Sequence, residues 1–158
     1  MKYRGWLALG LICATTVIAH ARVGENIKEI RARLGDPGPQ ANKRAVVWFF
    51  EQGDGRMVYS VTLNEKDISI AEGLKPIGGA QLTKEGAEDF VLNQLGPFKG
   101  GGSKGVNPGE KYVFAGKVLT CGANEVVVLH EQAGILIIWT RGKDTNIMAV
   151  SKEMAQKL

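Results

Sequence analysis

The sequence predicts an α+β fold of two helix-then-antiparallel-strands units, with the helices packed on antiparallel sheet. Two segments, starting near Glu25 and Thr83, carry apolar residues at helical spacing and stop at glycine. Each is followed by short runs rich in Val, Ile, Phe and Trp, divided by Gly- and Asp-containing turns. The chain therefore reads as one helix followed by several strands, and then the same again.

Before these units stand 21 residues of a different kind. Lys2 and Arg4 precede an apolar run from Trp6 to Ile18, and Ala19-His20-Ala21 precedes Arg22. A basic start, a short apolar stretch and an A-x-A site are the parts of a secretory signal peptide, so cleavage is expected after Ala21. The apolar run is shorter than the roughly 20 residues that span a bilayer. No transmembrane segment is expected after cleavage, and the chain is expected to be periplasmic or secreted. Cys13 follows Ile12, whereas bacterial lipoprotein signals resemble one another in having a small residue there, so lipid attachment is disfavoured.

Cleavage removes Cys13 and His20 and leaves one cysteine, Cys121, and one histidine, His130. A single thiol forms no intramolecular disulfide, so the fold rests on its apolar core, with Cys121 either buried and inert or paired to another molecule. The loss of Lys2 and Arg4 leaves 18 basic against 16 acidic residues, a net charge of +2 where the whole chain has +4. That balance argues against nucleic acid as a partner. The organisation expected is a signal peptide over 1–21, a first unit over 22–80 and a second over 81–158, or a single domain over 22–158.

The first helix places Ile27, Ile30 and Leu34 on one face, lets Glu29 reach Arg33 at i,i+4, and stops at Gly35 before Asp36-Pro37-Gly38-Pro39. Strands follow over Ala45–Phe50 and Met57–Leu63, joined by Gly53-Asp54-Gly55-Arg56, where Asp-Gly is expected to supply the positive φ of a tight hairpin. A third strand is expected over Ile68–Ala71. The second helix runs from Thr83, its N-cap, to Gly96-Pro97, with Glu85 in its first turn suiting the macrodipole. After the glycine-rich connector Gly100–Gly105, strands are expected over Lys111–Thr120, Glu125–His130, Ile135–Thr140 and Ile147–Ser151.

The halves echo each other. Leu34-Gly35-Asp36-Pro37 ends one helix as Leu95-Gly96-Pro97 ends the other, and Val46-Val47 with Glu51-Gln52 recurs as Val126-Val127 with Glu131-Gln132. A duplication would place an insertion around the glycine-rich connector. A short helix closing in Leu-Gly-x-Pro, then an aromatic strand such as Val47-Trp48-Phe49 and a second strand, resembles small envelope domains of the SmpA/OmlA type and tandem β-lactamase-inhibitor-protein-like domains. The match rests on Gly24–Pro37 and Trp48–Leu63. The resemblance implies a two-layer α+β domain that acts by binding other proteins.

Strand composition points the same way. Trp48-Phe49-Phe50, Val126–Leu129 and Ile135–Trp139 do not alternate apolar with polar, so these strands want cover on both faces. About seven strands at roughly 4.8 Å spacing make a sheet on the order of 30 Å wide, and two helices about 10 Å across do not cover both its faces. Either the units pack on each other, or surplus apolar surface meets a protein partner, a second copy or an apolar ligand.

Reactive groups are sparse. In a hairpin, Cys121 would lie near the turn and His130 about 14 Å down the partner strand, too far for a nucleophile and its base. One histidine without ligand-spaced neighbours makes a poor metal site. The glycine-rich stretch lacks the lysine spacing of a phosphate-binding loop and reads as a connector. No catalytic residue, cofactor or metal is expected. The leading expectation is an exported, non-enzymatic binding or envelope-assembly module that acts through protein–protein contacts or self-association, with Trp48, Phe50 and Trp139 as candidate partner-binding residues. The alternatives are a carrier of a small apolar ligand, held among residues such as Phe90, Val127 and Ile137, and a hydrolase using Cys121 or His130.

Overall fold

The computed structural model describes residues 22–38, 42–96, 98 and 102–157, and the expected signal peptide lies outside them. Helix α1 spans Ile27–Leu34. Asn26 and Glu29 close its start as a capping box, the Glu29 carboxylate accepting from the Asn26 N–H at 3.1 Å. Glu29 is thereby committed to the cap, and Arg33 pairs with Glu25 instead of with it. Gly35, at φ +77°, ends the helix.

Strands β1 (Ala45–Gln52) and β2 (Gly55–Leu63) form the hairpin. Its two-residue loop is Gly53-Asp54, and Gly53 supplies the positive φ at the first loop position rather than Asp-Gly supplying it one step later. Gly55 belongs to β2 and is small for another reason, since a Cβ there would lie 2.2 Å from the Ala80 nitrogen. Strand β3 runs Ser69–Ile77, well past the expected Ala71. Its extension carries Glu72, Gly73 and Pro76, residue types that do not announce a strand. Pro76 is tolerated because the far neighbour of β3 pairs only with Ala71–Leu74, leaving the rest of β3 at an edge.

Helix α2 spans Lys84–Leu95, with the Thr83 hydroxyl accepting from the Gly86 N–H at 3.1 Å. The connector is partly structured, for Ser103–Val106 forms the short strand β4. The single strand expected over Lys111–Thr120 is a hairpin of β5 (Lys111–Phe114) and β6 (Lys117–Thr120), turned by Ala115 and Gly116, both at positive φ. Strands β7 (Glu125–His130), β8 (Ile135–Thr140) and β9 (Asn146–Ser151) lie where expected, and a short helix α3 (Lys152–Lys157) follows them.

The architecture is α+β with antiparallel sheet. One seven-stranded sheet has the order β1-β2-β3-β9-β8-β7-β4, and the β5–β6 hairpin stands apart from it. The sheet runs unbroken across residues 80 and 81, because β3 pairs with β9. Helices α1 and α2 cover one face, burying Ile30, Ala87 and Phe90 against Trp48, Tyr59, Ile137 and Ile147. On the opposite face Tyr112 and Phe114 of the hairpin and Ala155 of α3 pack on Val127, Leu129, Leu136 and Val150. The cover that two helices fail to provide over β7–β9 thus comes from the hairpin and α3.

Candidate binding surfaces

Beyond Ala71, which joins the second core, the face of β1–β3 opposite the helices has no such cover. In an antiparallel sheet directly paired residues share a face. The register therefore lines up Val47, Ser60, Gly73, Met148 and Ile138 across five strands, with Phe49, Val58 and Lys75 in the next row. Phe49 is 48% exposed, Ile77 41% and Met148 40%. Ser60 and Gly73 keep the middle of the band low, and a Cβ on Gly73 would come within 3.0 Å of Ser60 Oγ. The Arg56–Glu51 ion pair, at 2.9 Å, sits one row beyond Phe49. A band of large apolar side chains with small residues between them and charges at its margin has the composition of a contact surface.

A second surface lies on the helical face. An apolar groove of about 590 Å³ opens between α2 and strands β7–β8, walled by Val91, Leu92, Val126, Val128, Ile137 and Trp139. Lys84, Glu88 and Arg141 lie at its borders. Lys84 is held by Glu88 at 3.6 Å, whereas Arg141 has no ion-pair partner among the described residues. The buried indole N–H of Trp139 finds no hydrogen-bond acceptor among them either.

The residues singled out from the sequence separate. Trp48 is 3% exposed, and its indole N–H donates to the Gly35 carbonyl at 3.0 Å, so it locks the end of α1 to β1 and does not reach the surface. Phe50 is half-buried against the helical core. Trp139 is half-buried at the groove. Of the three residues expected to line a ligand cavity, Ile137 borders the groove, Phe90 is fully buried beside Tyr59, and Val127 faces the other core. Phe49, Ile77, Leu92 and Met148 are among the exposed apolar residues that residue type alone does not single out; the parity of β1, fixed by pairing Phe49 with Val58, is the signal that sends Trp48 inward and Phe49 outward.

Cys121 and His130 do not form a pair. The Cys121 thiol is buried 3.6 Å from the Val106 carbonyl and close to Glu125, at the start of β7, and burial pushes its pKa up, away from the reactive thiolate. His130 ends that strand, five residues on and about 17 Å away at strand rise. It is buried, its Nδ1 accepts from the Ala133 N–H at 3.1 Å, and its ring packs 5.3 Å from that of Phe98, so it shapes the β7–β8 turn. Among the described residues no group of three or more His, Cys, Asp or Glu is placed to hold a metal ion, and no helix is long and apolar enough to cross a membrane.

The most perturbed carboxyl is Glu72, buried between β3 and the helices. Ser69 Oγ donates to it at 2.7 Å and Gln94 Nε2 at 2.8 Å, and Tyr59 Oη donates to the same oxygen as Gln94. Burial raises its pKa from 4.5 to about 7 against the opposing pull of these three donors. Gln94 in turn accepts from the Val23 N–H at 3.0 Å, so the cluster ties β2, β3, α2 and the segment before α1 together. With its oxygens engaged and its side chain sealed, Glu72 is a structural node rather than an exposed acid.

No protein-family profile, curated protein or solved structure matches this chain.

Proposed function

We propose that this chain is an exported, non-enzymatic binding or envelope-assembly module that meets a protein partner on the uncovered face of β1–β3. The observation that carries the reading is the asymmetry of cover: the hairpin and α3 close this face over Val127, Leu129, Leu136 and Val150, while Phe49 and Ile77 of β1–β3 and Met148, where β9 borders them, stay exposed. Residues 1–21 support export and a periplasmic or secreted location. The separation of Cys121 from His130, and the burial of both, supports a role without catalysis.

We also propose that the chain contains two related units. In the sheet order, β1-β2-β3 and β7-β8-β9 are two meanders meeting at the β3–β9 pair, each preceded by a helix, with β4–β6 as the insertion near the connector. This supports the resemblance to tandem inhibitor-like domains at the level of layout.

The test is site-specific photo-crosslinking in the producing cell, from position 49 and, as a control on the opposite face, from position 88. Discrete protein adducts from position 49 alone, lost on Met148→Lys, are expected. Equal adducts from both positions, or adducts that survive Met148→Lys, overturn the use of this face.

A further inference from the structure

The groove beside α2 lies on the opposite side of the sheet from the open face of β1–β3, and its chemistry is graded. Ile137, Trp139 and Arg141 are two residues apart in succession along β8 and its continuation, so they lie on one side of the chain. Along that line the wall passes from a buried aliphatic residue to a half-buried indole, and then to an exposed guanidinium without an ion-pair partner among the described residues. Val91, Leu92, Val126 and Val128 complete an apolar trough. Its volume of about 590 Å³ falls in the range of small-molecule sites, roughly 300–1,000 Å³.

We infer that this groove binds a single-chain amphiphile, a long-chain carboxylate whose hydrocarbon lies between α2 and β7–β8, against Trp139, and whose head group meets Arg141. Two features select that occupant. An apolar trough takes a hydrocarbon chain because it removes apolar surface from water. The border carries one committed cation, Lys84, and one uncommitted cation, Arg141, so the uncompensated charge there is positive and complements an anionic head.

The test uses protein purified after expression of the full chain, titrated with sodium palmitate below its micelle concentration and with methyl palmitate, followed by calorimetry and by tryptophan fluorescence. One equivalent of palmitate is expected to bind and to change the Trp139 emission, a change lost in Trp139→Phe. Leu92 is 67% exposed on the groove wall, so Leu92→Glu leaves the fold intact, and putting its charge against the chain weakens binding about tenfold or more, the scale of one lost apolar contact. Arg141→Gln weakens palmitate binding up to about fivefold, as expected for an exposed charge pair, and leaves methyl palmitate unaffected. Three results overturn the inference. One is the lack of saturable binding. Another is palmitate binding that Leu92→Glu leaves unchanged. The third is a protein dimer that takes no palmitate and dissociates on Leu92→Glu, which would make the groove a contact between copies.

Discussion

The sheet has a closed half and an open half. Over β7–β9 the face opposite the helices is closed by the hairpin and α3 as far as Leu136 and Val150, with Met148 exposed at its border, and β8 sends Ile135 and Ile137 into one core and Leu136 into the other. Over β1–β3 the helices cover one face and leave Phe49, Val58 and Ile77 on the other without the hairpin or α3 above them. Similar apolar strand sequences therefore do different work. In the closed half their side chains stabilise the fold, and in the open half part of the same composition is left over for contact with something else.

This contrast can be broken by substitutions of matched chemistry. Phe114, from the hairpin that closes the second core, is fully buried, and Phe114→Ala should cost about 3–5 kcal/mol in urea unfolding. The next largest effect belongs to Glu72, whose pKa is about 7 in the folded protein against 4.5 as its ordinary value. The folded state holds this proton more tightly, so the stabilisation is fully present below pH 4.5. It is lost as pH rises through about 7, by at most ~3 kcal/mol. Urea midpoints should fall between pH 5 and pH 8, and Glu72→Gln should flatten that dependence. A midpoint that rises over this range would show that Glu72 is held ionised.

Smaller effects sharpen the comparison. Ala115 occupies a left-handed conformation at φ +52° in the hairpin turn. Ala115→Gly should stabilise by up to ~1 kcal/mol, the relieved strain being partly offset by greater freedom of the unfolded chain. Phe49→Ser, in the open half, should change stability by only about 0.5 kcal/mol, as at ordinary surface positions. Should Phe49→Ser prove as costly as Phe114→Ala, the open face is covered in solution and the two halves are not different in kind.

Much of this was legible in the sequence, and the misses have physical reasons. Helices α1 and α2 announced themselves through periodicity and glycine stops, and strands β7, β8 and β9 through apolar runs between turn signals, whereas α3 was not expected. The β5–β6 hairpin did not, because its turn is Ala115-Gly116, and an alanine at positive φ gives no turn signal of the kind Asn or Asp would give. The polar second half of β3 was hidden because its Glu72 is satisfied by Ser69, three residues before it, and by Tyr59 and Gln94, which lie far off in the sequence and meet it only in the fold. At the candidate surfaces, residue type alone pointed to Trp48, Phe50 and Trp139. Strand parity then placed Trp48 inside and Phe49 outside, and no aromatic count could have told them apart.

The pairing of β3 with β9 also bears on how the molecule is made. Residues 69–77 wait for residues 146–151 before the middle of the sheet can close. A growing chain therefore carries β1–β3 for some seventy residues of further synthesis with the inner edge of β3 unmatched, and such long-range pairings are slow to form. A polypeptide whose central seam is completed almost last reaches its closed form late, which suits the export proposed for it from residues 1–21.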